Sequence, residues 1–168
     1  MSGVSKPISK SHDSSKEFII KCLKGDETRG FDIDSIYFYK GKYLIFEYLK
    51  DENLSLSPYQ SDPKYHPYNW QKFYSLFQIS QKLGGTLYLV NYSDGFGKDG
   101  KEQPKHFAEQ VKLFKVINVD YEKLKREYLD LPYSIRPKHC EYIISEKLEL
   151  AFEEYSNWLR EINKNLNG

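Results

Sequence analysis

Asp34 and Glu47 are the two side chains whose types and spacing point most directly to chemistry. They lie between Phe31 and Lys50, a stretch rich in β-branched and aromatic residues on both sides of Lys40-Gly41. That pattern predicts two strands joined by a tight turn. A two-residue loop at Lys40-Gly41 sets Tyr39 opposite Lys42. Counting back, Phe38 faces Tyr43, Ile36 faces Ile45, and Asp34 faces Glu47. Side chains alternate along a strand, so these last three pairs share one sheet face. Directly opposed carboxylates repel by roughly 0.2–1 kcal/mol in a sheet. Beside an apolar face the pair needs a neutralising cation. A hard divalent ion suits it, because Mg²⁺ is often held by one or two carboxylates and substrate phosphate oxygens. The plainer reading makes Asp34 a strand-end residue and Glu47 a solvated one. A hairpin loop of another size would separate the two.

The elements around this hairpin follow from periodicity and punctuation. Ser14-Ser-Lys-Glu17 fits a capping box that opens a helix through about Leu23, with Lys24-Gly25 as its stop. Phe18, Ile19, Cys22 and Leu23 fall at helical spacing and predict a face packed on the sheet. Residues 51–69 form a long irregular segment with Pro58, Pro63 and Pro67, and with Tyr59, Tyr65, His66 and Tyr68. Such segments are often functional in compact domains. Trp70–Leu83 reads as an amphipathic helix that buries Trp70, Phe73 and Phe77, and Gly84-Gly85 ends it. Thr86–Tyr92 is a nearly continuous apolar run, as in a strand buried on both faces.

Ser93–Lys105 is a second exposed loop, carrying Lys98, Lys101 and Lys105. Gln110–Val119 alternates as a strand, and Asp120 caps a helix to about Leu129. Pro132 and Pro137 bound a further loop. Lys147–Asn163 reads as a closing amphipathic helix with Leu148, Ala151, Phe152, Tyr155 and Trp158 inward. The order predicts an α/β or α+β domain, a mixed sheet with helices on both faces. Residues 1–13 read as a flexible tail, and 14–168 as a single domain.

Composition narrows the function classes. The chain has 168 residues, of which 16% are aromatic, including 15 Tyr and 10 Phe. That supports a real core and argues against wholesale disorder. The net charge of +1 gives no global pull toward nucleic acid, and leaves room for a local basic patch. Two cysteines, Cys22 and Cys140, are too few for a disulfide scaffold or a zinc site. Cys22 reads as a small buried residue. The polar N-terminus has no signal-peptide core, and no apolar run approaches the ~20 residues of a membrane span. A cytosolic location is expected.

The arrangement resembles the PD-(D/E)XK nuclease superfamily, with its restriction-endonuclease-like core. Asp34, within Phe-Asp-Ile-Asp-Ser-Ile, matches the family's first acid. Glu47, within Tyr-Leu-Ile-Phe-Glu-Tyr-Leu-Lys, matches the second. The helix at 70–83 and the strand at 86–92 match the crossover that follows, so the resemblance spans roughly residues 14–119. It implies that Asp34 and Glu47 hold Mg²⁺ or Mn²⁺ for phosphodiester hydrolysis. A metal so held polarises the phosphate and lowers the pKa of a bound water. The family places a Lys two residues after the second acid. Here that position is Leu49, and Lys50 stands one place later, facing away from Glu47 on a regular strand. A bulge at Tyr48-Leu49 would turn Lys50 back. Otherwise the Lys comes from elsewhere, Lys72 on the crossover helix first, or the site is inactive.

Further residues carry two readings each. Asp32 shares the parity of Asp34 and is a further ligand or a solvated strand-entry residue. Glu17 is a further acid of the site or simply the capping-box partner. Lys98, Lys101, Lys105, Tyr65 and His66 are candidates for nucleic-acid contact, or loop residues packed on the body. The leading expectation is a metal-dependent DNA nuclease of restriction or mobile-element type, with a homodimer implied by family members that cut both strands. The alternatives are a degenerate nuclease-fold module that binds nucleic acid or protein, and an unrelated α+β protein.

Overall fold

A computed structural model describes residues 14–27, 30 and 32–164, with Ser14 and Ser15 described in backbone only. The expected tail at 1–13 lies outside these residues. The chain divides into two compact units, Met1–Asp32 and Ile33–Gly168. In the first, helix α1 spans Ser14–Leu23, as its capping and stop residues predict. Phe18, Ile19 and Ile20 on it are exposed. Cys22 is exposed too, not the small buried residue expected.

The second unit holds a five-stranded mixed sheet. Strands β1 (Ser35–Tyr39) and β2 (Lys42–Lys50) form the hairpin. Helix α2 (Trp70–Lys82) leads to β3 (Thr86–Tyr92), and β4 spans Gln110–Val119. A short helix α3 (Tyr121–Leu124), extended by a π-helical turn to Leu129, precedes β5 (Ile143–Ala151) and α4 (Phe152–Lys164). The strands lie in the order β1-β2-β3-β4-β5. Only β2 and β3 run parallel; the other neighbours are antiparallel.

The hairpin forms because Lys40 and Gly41 both take positive φ, at 48° and 78°. That backbone twist matches the twist of the flanking strands and fixes a two-residue loop. The register follows, with Tyr39 opposite Lys42, Phe38 opposite Tyr43 and Ile36 opposite Ile45. β1 starts at Ser35, so Asp34 and Asp32 precede the strand instead of lying within it.

Helices cover both faces, as the apolar patterns require. Ile45, Leu87, Leu89, Phe73 and Leu76 share one core with α2. Leu44, Phe46, Val90, Tyr155 and Ile162 share the other with α4. Phe73 and Leu76 are fully buried, while Trp70 and Phe77 are partly buried at the margin. Gly85 lets α2 return tightly to the sheet, since a Cβ there would lie 2.2 Å from the carbonyl oxygen of Tyr43.

The C-terminal segment differs from its sequence reading. Lys147–Ala151 is the second half of β5, and the helix begins only at Phe152. Ile143–Ala151 pairs along β4, from Val119 back to Gln110, and that ladder outweighs the helical spacing of Leu148 and Ala151. Leu148 and Phe152 are consequently exposed, whereas Tyr155 and Ile162 point inward.

Candidate active site

The hairpin register carries Asp34 to the flank of Glu47, just beyond the last paired residue of β1. Asp34 is anchored there because its Oδ2 accepts a hydrogen bond of 2.8 Å from the backbone N–H of Tyr48. Glu47 shares the parity of Ile45 and Leu49 and so lies on the face covered by α2. It is 4% exposed. The ammonium of Lys72 sits 2.5 Å from Glu47 Oε1. Glu47 Oε2 is buried with no donor beside it.

Burial lifts the Glu47 carboxyl from its ordinary 4.5 to about 7. The Lys72 ammonium opposes the shift, and the negative charge of the Asp34 carboxylate reinforces it. An acid pair of this kind is neutralised either by a shared proton or by a cation. The orphaned Oε2, an adjoining carboxylate and the shortage of donors fit a hard divalent ion. Asp34 and Glu47 are the residues that could hold it. No group of three or more His, Cys, Asp and Glu side chains suited to a metal occurs among the described residues. Two carboxylates still suffice for an ion that keeps several waters.

Lys50 does not reach this face. β2 runs without a bulge through Tyr48 and Leu49, with Leu49 opposite Asn91 and Lys50 opposite Tyr92. The kink that Lys50 needs is absent, and its Nζ pairs with Asp94 at 3.0 Å. The cation beside Glu47 is Lys72, for a topological reason. A crossover helix begins where the preceding strand ends, so the first turn of α2 hangs over the C-terminal half of β2. Lys72 lies in that turn.

Beyond Glu47 the strand runs into a cleft of about 760 Å³, at the C-terminal ends of parallel β2 and β3. This is where open sheets with parallel strands tend to bind ligands. Lys50, Lys98, Tyr65 and His66 line it, so the structure gathers four of the sequence-derived candidates there. Asp34, Glu47 and Lys72 lie outside its lining, and Asp34 lines a separate pocket beside Tyr48, Tyr92 and Tyr155. Lys101 and Lys105 are exposed and also outside the lining. Tyr59 is spent internally, its hydroxyl donating to the Leu150 carbonyl at 2.9 Å. Glu17 and Asp32 belong to the first unit.

Sequence reasoning missed Asp51, Asn91 and His139, all in the cleft wall. Asp51 is buried, its Oδ1 accepting from the Asn53 N–H at 3.0 Å while Oδ2 has no partner. Burial raises its pKa, and the Asn53 hydrogen bond restrains the rise. The available signal for Asp51 was its place, the first residue past β2. Nothing local marks His139, which a distant loop supplies.

No helix among the described residues is long and apolar enough to cross a membrane. No family model, curated protein or solved structure matches the chain.

Proposed function

We propose that this protein is a divalent-metal-dependent nuclease of the PD-(D/E)XK type, with Asp34 and Glu47 holding Mg²⁺ or Mn²⁺. One observation carries the reading: a buried carboxylate with an unpartnered oxygen, flanked by a second carboxylate and a lysine. The order of hairpin, crossover helix and parallel strand resembles the family's core and supports it. Bound there, the ion supplies Lewis-acid activation of the phosphate and of a water. Asp34 is oriented by the Tyr48 N–H, and Glu47 by Lys72. Lys72 supplies the positive charge that stabilises the developing phosphorane, the part the family gives to a lysine on the strand. Lys50 and Lys98, in the adjoining cleft, contact backbone phosphates without reading bases.

The test is cleavage of labelled DNA and RNA, single- and double-stranded, with Mg²⁺, Mn²⁺ or EDTA. Metal-dependent products that vanish in Asp34→Ala and Glu47→Gln support the proposal. Binding without cleavage in every metal favours a second reading, a degenerate module. Leu49 at the family's lysine position, and the commitment of Lys50 to Asp94, are the observations on that side.

A further inference from the structure

The cleft does not end at His139. A second groove of about 470 Å³ shares Tyr65, Tyr68 and His139 with it and continues to Tyr133, Arg136 and Lys138. The lining of this groove holds three basic-type side chains, four tyrosines and two prolines, and no acid. Two of its rings are unusually open: Tyr133 is 86% exposed and Tyr68 is 66% exposed.

Exposed aromatics scattered singly need no explanation. These are gathered, and each is tethered from one side. Tyr68 Oη is 2.9 Å from His66 Nδ1, which fixes its ring. Tyr65 packs on His139 with ring centroids 4.6 Å apart. The Arg136 guanidinium lies over both Tyr128 and Tyr133, at 5.1 and 5.7 Å. It is held there by donating to the carbonyls of Leu129 and Leu131, each at 3.2 Å. The Cys140 N–H donates to the Lys64 carbonyl at 2.9 Å and clamps the 136–140 loop onto the segment bearing Tyr65. Rings already held by a neighbour lose less entropy when a flat ligand stacks on them.

A row of aromatic side chains interleaved with cations, without acids, suits a single-stranded nucleic acid. Its bases stack and its phosphates follow the charge. Duplex DNA hides its base faces and offers nothing for Tyr68 or Tyr133 to stack on. We infer that the groove from Tyr65 and Tyr68 to Tyr133 and Lys138 binds single-stranded nucleic acid and leads it to the cleft at the C-terminal ends of β2 and β3. The inference takes up the nucleic-acid part of the proposed function and specifies the form of the substrate.

The experiment is fluorescence anisotropy of the full chain with labelled single-stranded oligonucleotides and the matching duplex, in EDTA so that no cleavage intervenes. Single strands should bind more tightly than duplex. Tyr68→Ala and Tyr133→Ala should each weaken single-strand binding about five- to hundredfold. Tyr133→Phe, which keeps the ring, should retain it. Lys138→Ala should lower the slope of log affinity against log salt by about 0.7, one phosphate contact on a single strand. These residues are exposed, and circular dichroism confirms that each variant folds. Absence of single-strand binding at low salt, tighter binding of duplex, unchanged affinity in both tyrosine variants, or capture of a proline-rich peptide in place of nucleic acid would each overturn the inference. Metal-dependent duplex cleavage indifferent to Tyr133 removes the groove and leaves the nuclease standing. Single-strand binding without cleavage does the reverse.

Discussion

Lys72 Nζ approaches Glu47 Oε1 to 2.5 Å, from a helix that begins twenty residues after β2 ends. Leu49, in the strand position where the resemblance calls for lysine, packs with the core instead. Positive charge thus reaches the acid pair from α2. Lys72→Ala should lower cleavage by about 10²–10⁴-fold, the usual worth of a charge-stabilising or proton-transferring group. Lys50→Ala should cost less, as the loss of one phosphate contact. Single-turnover assays of both variants decide it, and a larger loss in Lys50→Ala would return the role to the strand.

Metal binding should depend on both acids. Calorimetry with Mn²⁺ should show one site in the wild type and little heat in Asp34→Ala or Glu47→Gln. Lys72→Ala should still bind, because the ammonium is not a ligand. Equal binding by wild type and Asp34→Ala would remove Asp34 from the site.

Acidity should work in opposite senses on folding and on metal binding. In the metal-free protein the Glu47 pKa rises from 4.5 to about 7. The folded state therefore holds this proton more tightly than the unfolded chain does. Its contribution is fully present below pH 4.5 and is lost as pH climbs through 7. At ~1.4 kcal/mol per unit, the loss is about 3 kcal/mol. Urea midpoints in EDTA at pH 4, 6 and 8 should fall more steeply for wild type than for Glu47→Gln. Metal affinity should rise over the same interval, since the ligand must be deprotonated. Parallel pH profiles for the two proteins would mean that the Glu47 pKa does not change on folding.

The helix that carries Lys72 is held by its buried face. Phe73 is 1% exposed, so Phe73→Ala should cost ~3–5 kcal/mol. Phe77 is only partly buried, and its truncation should cost less. Chemical denaturation of both variants checks the order, and a Phe73→Ala loss below about 1 kcal/mol would say that the face is loosely packed.

Short windows of the chain suffice for its local geometry. Lys40-Gly41 dictates a tight turn, and alternation on either side then brings Asp34 to Glu47 without any help from distant residues. The apolar run Thr86–Tyr92 and the apolar stripe of α2 are likewise written in their own windows. Tertiary structure decided the rest. Leu148 and Ala151 have helical spacing, yet pairing with β4 makes them strand. The cation beside Glu47 was settled by where α2 starts in space, not by distance along the chain. Asp51, Asn91 and His139 meet because parallel strands end together and loops from far-apart segments close over them. Short-range geometry is fixed by torsions and periodicity, while a cleft forms only where packing of remote elements brings their ends together.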